Sequence, residues 1–109
     1  MTEAIARSER IYLVELVPTR ARHERPDDFK RIVPAHLEWV AEQQRAGVLL
    51  ATGPLVDETT GENTGHGIFL VRLASMRVAE RWVAADPQVV EGFKTPSIRA
   101  WLMRSAFLP

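Results

Sequence analysis

The sequence predicts an α+β fold of the ferredoxin-like βαββαβ type, in which an antiparallel four-stranded sheet carries two helices on one face. Two observations lead to this prediction. Four short apolar segments and two segments of helical periodicity follow one another in that order. The chain of 109 residues also has room for only one hydrophobic core. We therefore treat residues 1–109 as a single domain with its core at about residues 11–103.

The composition excludes several classes of function. Fourteen Lys and Arg balance fourteen Asp and Glu, which argues against a mainly electrostatic grip on nucleic acid or on a membrane surface. Because there is no cysteine, the chain has no disulfide, thiolate metal site or cysteine nucleophile. No apolar run approaches the roughly 18 residues of a membrane span, and the N-terminus lacks the apolar stretch of a secretory signal. We expect a soluble, cytoplasmic protein.

The first strand and the first helix have clear sequence signals. Ile11–Val17 is apolar and β-branched, which is typical of a strand. A charged loop follows, and Asp27 or Asp28 can cap a helix that runs to about Ala46. Pro34 lies inside this helix, where it either marks the true start of the regular turns or bends them.

The second half of the chain repeats the pattern without a sequence repeat. A residue before proline avoids the helical region, so Asp86 followed by Pro87 predicts the end of the second helix. The predicted elements are a strand at Val48–Gly53, a long hairpin loop at Val56–Gly67, a strand at Ile68–Leu73, a helix capped by Ser75 and reaching about Ala85, a strand at Pro96–Met103 and a short tail at Arg104–Pro109.

Both faces of the predicted sheet are apolar. In the first strand Leu13 and Val17 point to one face, while Val14 and Leu16 point to the other. Two helices can cover only one face, and an antiparallel sheet with a wet face should alternate cleanly. A symmetric partner sheet is the simplest cover for the second face, so we expect a homodimer. The alternative is a monomer whose tail folds over the sheet.

His36 is the most informative residue of the first helix. At about 100° per residue it falls near the middle of an apolar stripe, which the sequence assigns to Phe29, Ile32, Val33, Leu37, Val40 and Ala41. A histidine in this position is either a structural residue that bonds a backbone carbonyl or a general acid or base, because imidazole titrates near neutral pH.

Asp86 is the expected partner of His36. The two helices of a βαββαβ sheet run antiparallel, so the early turns of the first lie beside the end of the second, where Asp86 stands. A carboxylate there can fix the tautomer of the imidazole and increase its basicity. The alternative is that Asp86 only terminates the helix.

The other candidates are less specific. Arg99 interrupts an apolar strand and can hold an anionic substrate group, and Tyr12 can place a phenol in the same cavity; each can equally be an ordinary strand residue. His23 and His66 stand in polar segments, thirteen residues before and thirty after His36, without a zinc-site pattern. Since no nucleotide or cofactor motif occurs either, we expect neither a metal nor a cofactor.

Three segments resemble the signatures of the YCII-related (YciI-like) family. PAHLEWVAEQQRAGVLLATGPL at Pro34–Leu55 is similar to its helix, glycine and strand ending in Gly-Pro. ASMRVAERWVAADPQVVEGF at Ala74–Phe93 resembles its alanine-rich helix ending in Ala-Asp-Pro, and SIRAW at Ser97–Trp101 resembles its last strand. The resemblance spans about Ile11–Met103. The N-terminal extension Met1–Arg10 and the twelve-residue hairpin loop depart from the shortest members.

The resemblance implies a dimeric α+β barrel of two ferredoxin-like protomers, with His36 and Asp86 as an active-site pair. The family includes a dehydrochlorinase, and muconolactone isomerase shares the fold. The first hypothesis is therefore a lyase or isomerase in which His36 moves a proton on a small oxygenated substrate. The others are a non-catalytic dimeric module that binds a metabolite, and a monooxygenase that uses haem or no cofactor.

Overall fold

A computed structural model describes residues 3–4, 8–105 and 107–108 of the chain. Within these residues no helix is both long and apolar enough to cross a membrane. The described elements are β1 (Glu3–Ala4), β2 (Glu9–Pro18), α1 (Ala21–Glu24), α2 (Pro26–Arg45), β3 (Leu49–Val56), β4 (Asn63–Val71), α3 (Met76–Val83), α4 (Pro87–Val90), β5 (Lys94–Met103) and β6 (Phe107–Leu108).

Four strands form the main sheet in the order β3-β4-β2-β5, and every neighbouring pair is antiparallel. This is the strand order of the ferredoxin-like arrangement, so the fold class predicted from the sequence is confirmed. Leu13 in β2 stands opposite Leu70 in β4 and Arg99 in β5. These registers fix which side chains share a face of the sheet, because successive residues of a strand alternate between faces.

The hairpin between β3 and β4 is tighter than the sequence analysis predicted. The strands continue to Val56 and restart at Asn63, so the expected loop at Val56–Gly67 is wrong and only residues 57–62 connect the strands. Asp57 organises this turn, since its carboxylate accepts hydrogen bonds from the backbone N–H groups of Thr60 and Thr59, each at 2.9 Å. These bonds lower the pKa of Asp57. The polar composition of the hairpin therefore marks exposed strand ends rather than an irregular loop.

The entry into α2 also differs from the prediction. The short helix α1 occupies part of the predicted loop, and α2 begins at Pro26 rather than behind a cap at Asp27 or Asp28. A proline suits the first helical position, because no intrahelical partner awaits its missing N–H. Pro34 is accommodated inside α2, which continues for eleven further residues to Arg45.

The core lies between the helices and one face of the sheet. Strand residues such as Val14 and Phe69 pack there against Ala79 and Val83 of α3. From α2, Trp39 and Val40 pack against this core, whereas Leu37 is 59% exposed. The buried face of α2 is thus rotated from the predicted stripe, because the large indole of Trp39 fills the space beside Phe69, with ring centroids 5.9 Å apart.

The two short strands β1 and β6 pair in a separate two-stranded ladder. The backbone of Glu3 pairs with Leu108 and that of Ala4 with Phe107, in antiparallel register. The predicted extension at Met1–Arg10 and the predicted tail at Arg104–Pro109 lie partly outside the described residues. The paired backbone segments show that part of the tail forms a short strand.

Two glycines test how tightly the β3–β4 hairpin is packed. Gly65 and Gly61 both have a positive φ, +87° and +73°, so alanine is strained at either position by about 1–2 kcal/mol. A Cβ at Gly65 would also lie 3.3 Å from Pro18 and 2.6 Å from the Arg22 guanidinium, whereas one at Gly61 would meet nothing within 4 Å. We expect Gly65→Ala to lower the free energy of unfolding more than Gly61→Ala, measured by urea denaturation. Equal decreases in the free energy of unfolding would show that Pro18 and Arg22 can move away from the added methyl group without loss of stability.

Candidate active site

A cavity of about 490 Å³ opens between α2 and the β3–β4 hairpin. This volume suits a small organic ligand, since such pockets commonly span about 300–1,000 Å³. Its wall is largely apolar and aromatic, with polar groups from α1, α4, β5 and the β3–β4 hairpin. The residues that carry this description are Phe29, Val33, His36, Leu37 and Val40 of α2, Phe69 of β4, and the polar Arg22, Thr52, Asn63, His66, Gln88 and Lys94.

His36 borders the cavity from α2. Its ring stacks on that of Phe69 with centroids 6.4 Å apart and planes at 29°, and its side chain is 16% exposed. The imidazole is therefore held between the core and the cavity, neither fully buried nor free in solvent.

Asp86 stands behind His36 and is fully buried. It is the N-cap of α4, where its Oδ1 accepts a hydrogen bond from the backbone N–H of Gln88 at 3.0 Å. The same oxygen lies 2.7 Å from Nδ1 of His36. Pro87 stands at the first position of α4, where its fixed φ suits the helix, and the cap bond to Gln88 holds the carboxylate in place.

The contact assigns the two ring nitrogens of His36 different tasks. Because a carboxylate only accepts hydrogen bonds, Nδ1 carries the proton and Nε2 is the acceptor of the neutral ring. Among the described residues Nε2 has no hydrogen-bond partner, which leaves it available to a ligand. Oδ2 of Asp86 likewise lacks a partner there.

The structure places Tyr12 and Arg99 away from this cavity. Tyr12 belongs to the buried core cluster, and Arg99 lies on the opposite face of the sheet, because it pairs with Leu13 while Val14 faces the core. Neither is among the described lining residues. Strand alternation and core packing therefore separate both residues from this cavity, and their assignment as substrate-binding residues stays a prediction.

Lys94 is the site residue that sequence reasoning missed. It lines the cavity, and its ammonium group donates to the backbone carbonyl of Gly65. Burial lowers the pKa of Lys94, and the neighbouring positive charge of Arg22 lowers it further, while Asp86 opposes both effects. The predicted strand began at Pro96, whereas β5 begins at Lys94. Extending the alternation back from Ile98, which faces the core, places Lys94 on the same face.

A second histidine–carboxylate pair differs from the first. Nδ1 of His66 lies 3.0 Å from Oε2 of Glu15, and both side chains are partly exposed. Glu15 alternates with Val14 and Leu16 of the core, so its side chain lies on the sheet face opposite the helices, whereas His66 also lines the cavity. In the described part of the chain no three His, Cys, Asp or Glu side chains gather closely enough to hold a metal ion.

Residues 12–101 match the model of the YCII-related domain. The chain belongs to the YCII-related family. The match covers all four strands of the main sheet in whole or part, together with His36, Asp86 and Lys94. The resemblance inferred from the sequence is therefore confirmed.

Two solved structures are similar to this YCII-related protein. One is the 5-chloro-2-hydroxyhydroquinone dehydrochlorinase of Burkholderia phenoliruptrix in complex with 2,5-dihydroxybenzoquinone. It has 17% sequence identity and a TM-score of 0.64 over 84% of this chain and 92% of that one. The other is an antibiotic biosynthesis monooxygenase, with 14% identity and a TM-score of 0.45 over 90% and 99% of the two chains. A comparison with curated proteins found no match. The dehydrochlorinase shares the fold.

The lowered pKa of Lys94 predicts a stability cost at neutral pH. At pH 7 the lysine is protonated in the unfolded chain, and the folded environment disfavours that charge, so Lys94→Met should raise Tm by a few degrees. The gain should shrink as the pH rises toward the ordinary lysine value of 10.5, where the unfolded chain also loses the proton. Thermal unfolding of both proteins between pH 7 and pH 10 measures this. The exposed Lys30→Met serves as control, and a lower Tm for Lys94→Met would mean that the bond to Gly65 outweighs the desolvation.

Proposed function

We propose that this YCII-related protein is a cofactor-independent enzyme that moves a proton on a small oxygenated substrate. The reaction is a lyase reaction such as dehydrochlorination, or an isomerisation. His36 is the general acid and base, and Asp86 orients it. The observation that carries the proposal is the 2.7 Å contact between Nδ1 of His36 and Oδ1 of Asp86 beside an apolar cavity.

The proton transfer follows from this geometry. Nε2 of His36 accepts a proton from a carbon or oxygen of the bound substrate, and Asp86 stabilises the imidazolium that forms. In a dehydrochlorination the electron pair of the broken bond forms a double bond as chloride leaves, and the proton passes from His36 to solvent. In an isomerisation His36 returns the proton to a different atom of the same substrate.

Two further observations support an enzyme of this class. The cavity has largely apolar walls, which limit the water that competes for the proton, and the His36–Asp86 pair borders it. The similar structure from Burkholderia phenoliruptrix is a dehydrochlorinase of a chlorinated hydroxyhydroquinone. That substrate is small, planar and oxygenated, so it is a suitable first compound to test.

Substitution of His36 tests the acid–base role. Chloride release from 5-chloro-2-hydroxyhydroquinone under anaerobic conditions provides the first assay, followed by a panel of hydroxylated aromatic compounds. His36→Gln keeps a polar side chain of similar length and loses the proton acceptor, so the rate of the chemical step should fall by roughly 10²–10⁴-fold. Asp86→Asn preserves the cap of α4, because Asn caps as well as Asp, and should also lower this rate.

His23→Gln is the matched control, since His23 is exposed in α1 and does not border this cavity. It should leave the rate unchanged. A parental rate in His36→Gln would contradict the acid–base assignment. Binding of these compounds with no turnover by the wild-type protein would instead identify a non-catalytic metabolite-binding module.

We propose in addition that the protein is a homodimer in which the sheet faces opposite the helices meet. On this face Ile11 and Met103 are buried within the protomer, whereas Trp101, beside Leu13 and Leu70, is 43% exposed. Apolar area of this kind is costly to leave in water. The carboxylate of Glu15 lies on the same face and would be shielded with it.

Sedimentation measures the proposed dimer. At micromolar concentration the mass should be about twice 12.3 kDa. Trp101→Glu should shift the mass toward one protomer, because it places a charge in the proposed interface. Glu42→Lys on the exposed side of α2 should not shift it, and circular dichroism verifies that both variants fold. A monomeric wild-type protein at that concentration would sink the dimer proposal.

A further inference from the structure

Two cationic side chains meet at the rim of the cavity, and the acid–base pair uses neither. Lys94 lies at the start of β5, and Arg22 lies in α1; both side chains line the cavity. Both also lie close to the backbone of Gly65. The ammonium group of Lys94 donates to the carbonyl of Gly65, and the Arg22 guanidinium lies 2.6 Å from the position that a Cβ on Gly65 would occupy.

The local structure holds both cations in place. The Arg22 guanidinium lies over the ring of Phe29, 5.4 Å from its centroid, a distance typical of a cation–π contact. The missing side chain of Gly65 leaves the space that the guanidinium occupies. Long side chains lose conformational entropy when they are ordered. Because these contacts already order Arg22 and Lys94, less of that entropy is lost when a ligand binds.

The charge of the cavity is unbalanced. Within residues 8–105 no carboxylate lies within ion-pairing distance of Lys94 or Arg22. No Asp or Glu is among the described lining residues, and Asp86 behind the wall is already bonded to His36. Lys94 and Arg22 therefore bring two positive charges to a largely apolar volume, and among the described residues Asp86 is the one negative charge that compensates them. A half-buried ammonium group without a bound anion is unfavourable. An anionic ligand would relieve this.

We infer that the cavity binds an acidic enol or phenol as its anion, and that Lys94, assisted by Arg22, holds the anionic oxygen. This inference names the substrate class of the proposed enzyme. It rests on the proposed function only in taking the cavity beside His36 as the substrate site. Lys94 determines specificity by charge, and the ring of the ligand lies against Phe29 and Phe69. The same ammonium group stabilises negative charge that develops on the oxygen when His36 removes a proton from the ring or from a neighbouring carbon.

Binding of two related quinones tests the inference. At neutral pH 2,5-dihydroxybenzoquinone is an anion, because each hydroxyl is conjugated to a carbonyl as in a carboxylic acid. 2,5-Dimethoxybenzoquinone has the same ring without the charge, and neither compound can be trapped by a thiol because the chain has no cysteine. Titration calorimetry at low salt should give tighter binding of the anion. Lys94→Met should weaken it by about 10- to 100-fold, the range of a charge-assisted hydrogen bond, and leave the dimethoxy compound unaffected.

Controls separate this inference from the acid–base proposal. Lys30→Met, an exposed change on α2, should leave both affinities unchanged. His36→Gln should retain the preference for the anion, so failure of the acid–base proposal leaves this result intact. The inference is overturned if the wild-type protein shows no preference for the anion, through equal binding of both compounds or binding of neither at millimolar concentration. It is also overturned if Lys94→Met binds the anion as tightly as the wild-type protein does.

Discussion

A carboxylate that is fully buried can persist only where hydrogen-bond donors replace water, and Asp86 is such a group. One of its oxygens has two donors, the backbone N–H of Gln88 and Nδ1 of His36. The first donor fixes the turn between α3 and α4, and the second ties α2 to that turn. The position of the imidazole in the cavity wall is therefore a consequence of how the chain solvates one charge.

The contact between His36 and Asp86 could be predicted from the sequence, because the periodicity and the packing direction of helices restrict which residues can be neighbours. The period of α2 placed His36 toward the sheet, and the antiparallel run of the two helices placed Asp86 beside it. Local signals were weaker where side-chain size decides the packing. The indole of Trp39 takes the place beside Phe69 and leaves Leu37 exposed, a choice that hydrophobic periodicity alone does not distinguish.

Strand boundaries explain what the sequence analysis missed around the cavity. A proline is tolerated in β5 because this strand lies at the edge of the sheet and pairs only with β2. Because the predicted strand began at Pro96, Lys94 was not assigned to it. The side chain of Lys94 lies on the same face of β5 as that of Ile98. Arg99 was the more conspicuous cation because it interrupts an apolar run, but its register places it on the other face. For a charged residue in a strand, its place in the alternation between the two sheet faces thus predicts its surroundings better than the apolar character of its neighbours does.

The double use of Asp86 has an evolutionary consequence. Selection for folding alone needs only an N-cap at this position, and Asn serves that purpose as well as Asp. Drift between the two residues is therefore expected in any lineage that retains the fold but does not use the charge of Asp86. Where relatives retain the acid and never the amide, selection acts on the negative charge beside His36. For the proposed acid–base function, the ratio of Asp to Asn at this one position then separates relatives that retain the charge from relatives that retain only the fold.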